Sequence, residues 1–284
     1  MVFLLYFLMP LDTVLFVTSK GLIKTSPMVR ILQLSICQIS AFLYICVIHN
    51  KMALQKNIFE LCFYKKTDSA ISYRERLILV IEQAYQLLRN KIAGKDIQVY
   101  NEASMQLHFG SILKRIGELY EFSPTDHFCI ELESPEDISP TAKSPNGARC
   151  DIKLSFFEGR QSTAKAKAFI ELKYFRHSND TTETITSNRF SVFMDLENLE
   201  RYQDEKRDEN SPKPICYEIV FAENSTYYSP KIKKENNQLN IGEGESNDPS
   251  KPIEYRSKKV SLKNKYVFHW DKCTDNQYWL KINI

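Results

Sequence analysis

No CxxC pair and no Cys/His spacing of zinc-site type occurs in the 284 residues, although cysteines stand at Cys37, Cys46, Cys62, Cys129, Cys150, Cys216 and Cys273. An odd, scattered set gives neither a disulfide framework nor a zinc site, and suits a reducing, cytoplasmic interior. An excess of one charge is lacking too. The formal net charge is +3, which excludes a polycation that coats nucleic acid by charge alone, so any such contact has to come from a local patch. There is no internal repeat and no secretory signal, since no compact basic start precedes a short apolar core and a small-residue cleavage site. What the chain does have is 43% apolar and 26% charged side chains, enough to bury a core and too apolar for disorder.

Composition changes sharply near Met52. Of the first 51 residues 32 are apolar, against about 90 of the other 233. The bases of this front segment, Lys20, Lys24, Arg30 and Lys51, outnumber its one acid, Asp12, whereas the remainder is electrically balanced. Ile31 to Ile48 is uncharged and sits at the low edge of membrane-helix length; Val2 to Val17 is broken by Pro10 and Asp12. Residues 1–51 therefore read as an apolar leader, either a membrane or surface-binding segment, a buried extension, or a stretch upstream of a working start at Met52. Membrane contact is expected only if this leader is genuine.

Downstream, residues 52–284 read as one α/β domain. Leu77, Val80, Ile81, Ala84, Leu87, Leu88 and Ile92 recur at three-to-four spacing, which predicts a helix from Arg74 to Ile92 that Gly94 terminates. A second, looser helical pattern spans Gln98 to Tyr120 and puts Glu102 near its start. Three strands follow, Phe128 to Leu132, Cys150 to Phe157 and Ala168 to Phe175, the latter two as a hairpin. A helix from Arg189 to Tyr202 and a strand from Ile215 to Ala222 complete an α, β, β, β, α, β order. Residues 223–263 are rich in Asn, Ser, Lys, Glu, Pro and Gly and read as a flexible insertion. Tyr266 to Trp270 and Tyr278 to Ile284 read as two closing strands at a sheet edge.

The chemistry concentrates in the hairpin. Alternation puts Glu171 and Lys173 on one face of their strand, with Ile170, Leu172 and Tyr174 on the other. If Asp151 faces the same way on the neighbouring strand, two carboxylates meet, and a divalent cation relieves their repulsion. Oxygen-only ligation suits Mg2+, or Mn2+, and argues against zinc. A lysine beside such a metal can orient an attacking water and steady charge on a phosphate. Glu102, brought in from the preceding helix, could complete the ligand set or hold a second metal.

These residues resemble the PD-(D/E)xK nuclease superfamily, over roughly residues 99–222: helical Glu102, Asp151 after Gly147-Ala148-Arg149, the Glu171-Leu172-Lys173 triplet and the element order. The resemblance implies a restriction-endonuclease-like fold, a central mixed β-sheet flanked by helices. It also implies metal binding by Asp151 and Glu171, water activation by Lys173, and phosphodiester hydrolysis, with DNA preferred over RNA. Cys150 stands where the family has proline. Asn198 and Tyr202, four apart, are similar to the Gln-x-x-x-Tyr element of RecB-like members, with Asn in place of Gln. Arg149, Arg160, Lys165 and Lys167 are the candidate nucleic-acid contacts, although a basic hairpin tip also serves as an ordinary soluble turn. Dimerisation would suit double-strand cutting. The rival expectations are a non-catalytic module that binds nucleic acid or protein on the same fold, and a membrane-attached effector.

Overall fold

The computed structural model describes residues 71–136, 148–159, 163–176, 181–205, 212–229 and 238–284. The apolar leader and Arg160 lie outside these residues. Among the described residues no helix is long and apolar enough to cross a membrane.

Helix α1 (Tyr73–Ala93) begins at a capping box: the Ser72 hydroxyl accepts from the Glu75 N–H, and the Glu75 carboxylate accepts from the Ser72 N–H. Its buried stripe, Leu77, Val80, Ile81, Ala84, Leu88 and Ile92, is the periodic one expected except for Leu87, which is 39% exposed, and Gly94 closes the helix. Helix α2 (Glu102–Glu118) starts later than its pattern suggests, because the Asn101 side chain accepts from the Ser104 N–H at 2.7 Å and fixes the first turn there. Glu102 is thus the first residue of the helix.

Strands β1 (Asp126–Glu136), β2 (Ala148–Glu158) and β3 (Ala166–Phe175) form an antiparallel meander with Leu132 opposite Ile152 and Ile152 opposite Ile170. Helix α3 (Thr182–Glu205) then crosses to β4 (Ile215–Ala222), which runs parallel to β3. The chain continues through the short α4 (Ser225–Tyr228), a ribbon of β5 (Ile253–Tyr255) and β6 (Lys258–Val260), and the hairpin β7 (Trp270–Thr274) and β8 (Gln277–Asn283). The main sheet has six strands in the order β1-β2-β3-β4-β8-β7, mixed in direction. The α, β, β, β, α, β order holds through β4.

Strand alternation decides what each face covers. Tyr217 and Trp279 lie toward α1: the Tyr217 hydroxyl donates to Glu82, and Tyr85 meets Trp279 edge-on at 5.8 Å. Val220, Ala222, Leu280 and Ile282 lie on the opposite face and form a core with Phe190, Phe193 and Leu196 of α3. That second face carries Glu171 and Lys173.

Two expectations change. Residues 223–229 and 238–263 are packed rather than loose: Tyr227, Leu239, Ile241, Ile253, Val260 and Leu262 are buried in the α3 core. Their polar backbone is held by helix carboxylates, with the Ser261 N–H donating to Glu197 and the Lys263 and Asn264 N–H groups to Glu200. A few well-spaced apolar side chains and two acids thus hold a segment whose composition predicted a flexible insertion. The final hairpin does join the sheet edge, but its first strand begins only at Trp270; Phe268 instead exchanges backbone hydrogen bonds with Gly244 and Glu245.

Candidate functional site

Register brings the hairpin acids together. β2 and β3 are paired with Ile152 opposite Ile170, and continuing that antiparallel register by one residue sets Asp151 across from Glu171, on the same face. The Asp151 carboxylate accepts the Leu172 N–H at 2.7 Å, which holds it against the Glu171–Leu172 peptide. Asp151 is half-buried; Glu171 is fully buried, and the Tyr202 hydroxyl donates to it at 3.4 Å. The Asn198-x-x-x-Tyr202 element noted in the sequence therefore does reach the site, with Tyr202 on Glu171 and Asn198 fully buried.

Lys173 is the charge centre. Its ammonium lies 2.9 Å from the Asp195 carboxylate and donates to the Leu172 carbonyl at 2.9 Å. On its other side it reaches Glu102, at 3.3 and 3.4 Å from the two carboxylate oxygens. Glu102 is thus drawn to Lys173, from the start of α2. The backbone is fastened in the same place, since the Tyr174 hydroxyl donates to the Val99 carbonyl at 3.2 Å. Consecutive residues of β3 therefore hold both ends of the segment that leads into α2.

The electrostatics agree with this convergence. Partial burial raises the Glu102 carboxyl above its ordinary pKa; Lys173 pulls it down, while Asp151 and Asp195 push it up again. The Cys150 thiol is pushed well above its ordinary value, first by burial and then by the Glu171 and Asp151 charges. Among the described residues Cys129, Cys150, Cys216 and Cys273 are free thiols.

Two acids are missed by sequence reasoning. Asp195 in α3 and Glu218 in β4 are both fully buried, and Glu218 is the register partner of Glu171. Asp195 shares a helix stripe with Asn198 and Tyr202 at spacings of three and four, which is the signal that could have revealed it.

The basic candidates divide. Arg149 is exposed and stands two residues from Asp151, on the same side of β2 by alternation. Lys165 and Lys167 belong to the other end of β3. Lys167 is six residues from Lys173, about 20 Å along a strand, and Lys165 is paired with Glu158 at 3.1 Å. The structure does not bring these two lysines to the acidic cluster.

Among the described residues no group of three or more His, Cys, Asp or Glu side chains is arranged to hold a metal ion. The chemistry of the smaller set still fits Mg2+. Asp151 and Glu171 offer oxygen donors only, and Mg2+ commonly takes one or two protein carboxylates, with water and substrate phosphate supplying the rest. Comparison with protein-family models, with curated proteins and with solved structures finds no match.

Proposed function

We propose that the protein is a Mg2+-dependent nuclease of PD-(D/E)xK type, with Asp151, Glu171 and Lys173 as its catalytic residues. The observation that carries this reading is the meeting of Asp151 with Glu171 beside Lys173 across the β2–β3 ladder. The restriction-endonuclease-like core is part of the same proposal and is supported by the element order and the parallel β3–β4 crossover. Mg2+ bound by the two carboxylates would polarise a phosphoryl oxygen and lower the pKa of a water.

The remaining work falls to the chain itself. The Leu172 N–H orients Asp151, and Tyr202 orients Glu171. The Lys173 ammonium offers a fixed positive charge where negative charge grows on the phosphate. Arg149, exposed near Asp151, supplies a phosphate contact. DNA is proposed over RNA on the family resemblance alone.

A second reading has its own observation. Glu171 is sealed from solvent, and Lys173 is paired with two carboxylates, the pattern of a structural ion cluster. The fold would then bind nucleic acid or a protein without turnover. Cleavage of labelled DNA with Mg2+ and with EDTA separates the two. The nuclease reading requires Mg2+-dependent cleavage by the parent and a loss on the order of 10²-fold or more in Asp151→Ala and Lys173→Ala. Folded variants that cut at the parental rate would refute it.

A further inference from the structure

The two carboxylates on Lys173 are not equivalent. Asp195 is fully buried and lies 2.9 Å from the ammonium, whereas the Glu102 side chain is 44% exposed and reaches the same nitrogen at 3.3 Å. The Leu172 carbonyl adds a second contact on the strand itself, at 2.9 Å. An ammonium has three donors on a flexible four-carbon stem, so its position depends on what holds it. Two short contacts fix it from within the protein, and the longer one faces the half-exposed side.

We propose that Asp195 is the positioning residue for Lys173: it anchors the ammonium from the buried side and leaves the Glu102 side to be exchanged for a phosphate oxygen of the substrate. This rests on the nuclease reading for its function, although the anchoring itself is independent of catalysis. The location of Asp195 supports the role. It lies on the α3 stripe that carries Tyr202, whose hydroxyl contacts Glu171, so one helix face orients both the metal-side carboxylate and the lysine. Helix α3 is also the crossover between β3 and β4, so its seating on the sheet is set by the topology of the fold. Phe169 and Tyr202, with ring centres 4.9 Å apart, lock that seating about two turns further along the helix than Asp195.

The test uses the full chain and two readouts. The first is steady-state cleavage of DNA in Mg2+ by Asp195→Asn and Asp195→Glu. Displacement of the ammonium lowers kcat in Asp195→Asn by roughly 10²-fold, with KM changed by less than about twofold, because uniform binding is untouched. Asp195→Glu keeps the charge and recovers part of the loss. A purely structural Asp195 would lower Tm while leaving kcat per folded molecule unchanged, and that result overturns the proposal. The second readout needs no activity: reductive methylation of Lys173 at one pH, followed by mass spectrometry of its peptide. Release of the side chain makes labelling roughly tenfold faster in Asp195→Asn than in the parent; equal rates overturn the anchoring. A parent that does not cleave, together with accelerated labelling in the variant, would sink the nuclease reading and leave the anchoring standing. Should Asp195→Asn fail to fold, Asp195→Glu gives both readouts at intermediate values, and parental values for both would overturn the proposal.

Discussion

Gly117 should tolerate no side chain at all, and its replacement by alanine sets two effects of opposite sign against each other. In the last turn of α2, alanine would gain about 1 kcal/mol of helix propensity over glycine. A Cβ at this position would lie 2.2 Å from Cδ1 and Cε1 of Phe128 and 2.5 Å from its Cζ. Phe128 cannot move aside, because it is fully buried and its ring lies 5.1 Å from that of Phe156. Relief requires more than 1 Å of movement by a packed ring or by the helix, and overpacking of that kind costs about 1–3 kcal/mol, with this contact at or above the upper end. The expected net loss is about 2 kcal/mol. Urea unfolding followed by circular dichroism would show the midpoint falling by about 1 M for a slope near 2 kcal/mol/M. Gly110→Ala on the same helix is the control. There the new Cβ is close only to Cδ2 of Leu132, at 3.3 Å, with Ile130 Cδ1 at 3.7 Å and Leu132 Cδ1 at 3.8 Å in ordinary contact, and Leu132 is 43% exposed and free to shift. This variant should be unchanged or more stable by up to about 1 kcal/mol. Equal stability of Gly117→Ala and the parent would refute the close approach of α2 to β1 that sets where α2 lies on the sheet.

Three further outcomes are expected. On the proposed nuclease reading, cleavage of labelled DNA should fall on the order of 10²-fold or more in Asp151→Ala and Lys173→Ala, and EDTA should abolish it in the parent. Asp126 should contribute to acid sensitivity: burial alone would raise its pKa, but hydrogen bonds from Tyr73, Arg76 and the Ser123 N–H outweigh that and hold the carboxyl below its ordinary range. A depressed folded-state pKa means that its stabilisation is present above the unfolded value and is lost as pH falls through the folded one. Asp126→Asn should therefore cost about 3 kcal/mol at neutral pH, and the gap to the parent should narrow in melts below about pH 4. Glu200→Ala should free the Lys263 and Asn264 N–H groups and the Tyr266 hydroxyl, all of which it now accepts from; amide hydrogen exchange should accelerate at residues 263–264 while remaining slow in β3 and β4.

Much of the scaffold was legible because its elements are locally consistent. The stripe of α1 and the strand runs of β2, β3 and β4 carry periodicities that tertiary context did not override. The Asp151, Glu171 and Lys173 grouping was legible from alternation plus one assumption, that the hairpin register is even, and Ile152 opposite Ile170 meets it. The buried role of residues 223–229 and 238–263 was not legible, because composition cannot tell a polar loop in water from one whose N–H groups are capped by acids on another element. Glu197 and Glu200 look like a solvated helix face in the sequence, yet both are buried under that segment. Asp195 and Glu218 were hidden for a related reason: a charged residue within a helix or strand is exposed by default, and only the assembled fold brings them to Lys173 and Glu171.

That hidden layer bears directly on how the site could act. Sequence periodicity shows the strand face that presents the acids, but a carboxylate or an ammonium on a strand is only roughly aimed. Aim comes from what lies above it, and here that is a single stripe of α3, with Asp195 on Lys173 and Tyr202 on Glu171. Because α3 is also the connection that makes β4 parallel to β3, moving the helix to expose Glu171 would disturb the sheet. On the proposed nuclease reading, a phosphate approaching from the half-buried side, where Asp151 and Glu102 lie, would meet the half-exposed Glu102 contact of Lys173 before the buried Asp195 one. On that reading the Glu102–Lys173 pairing is the contact that a phosphate would exchange, while Asp195 keeps the ammonium in place from the buried side.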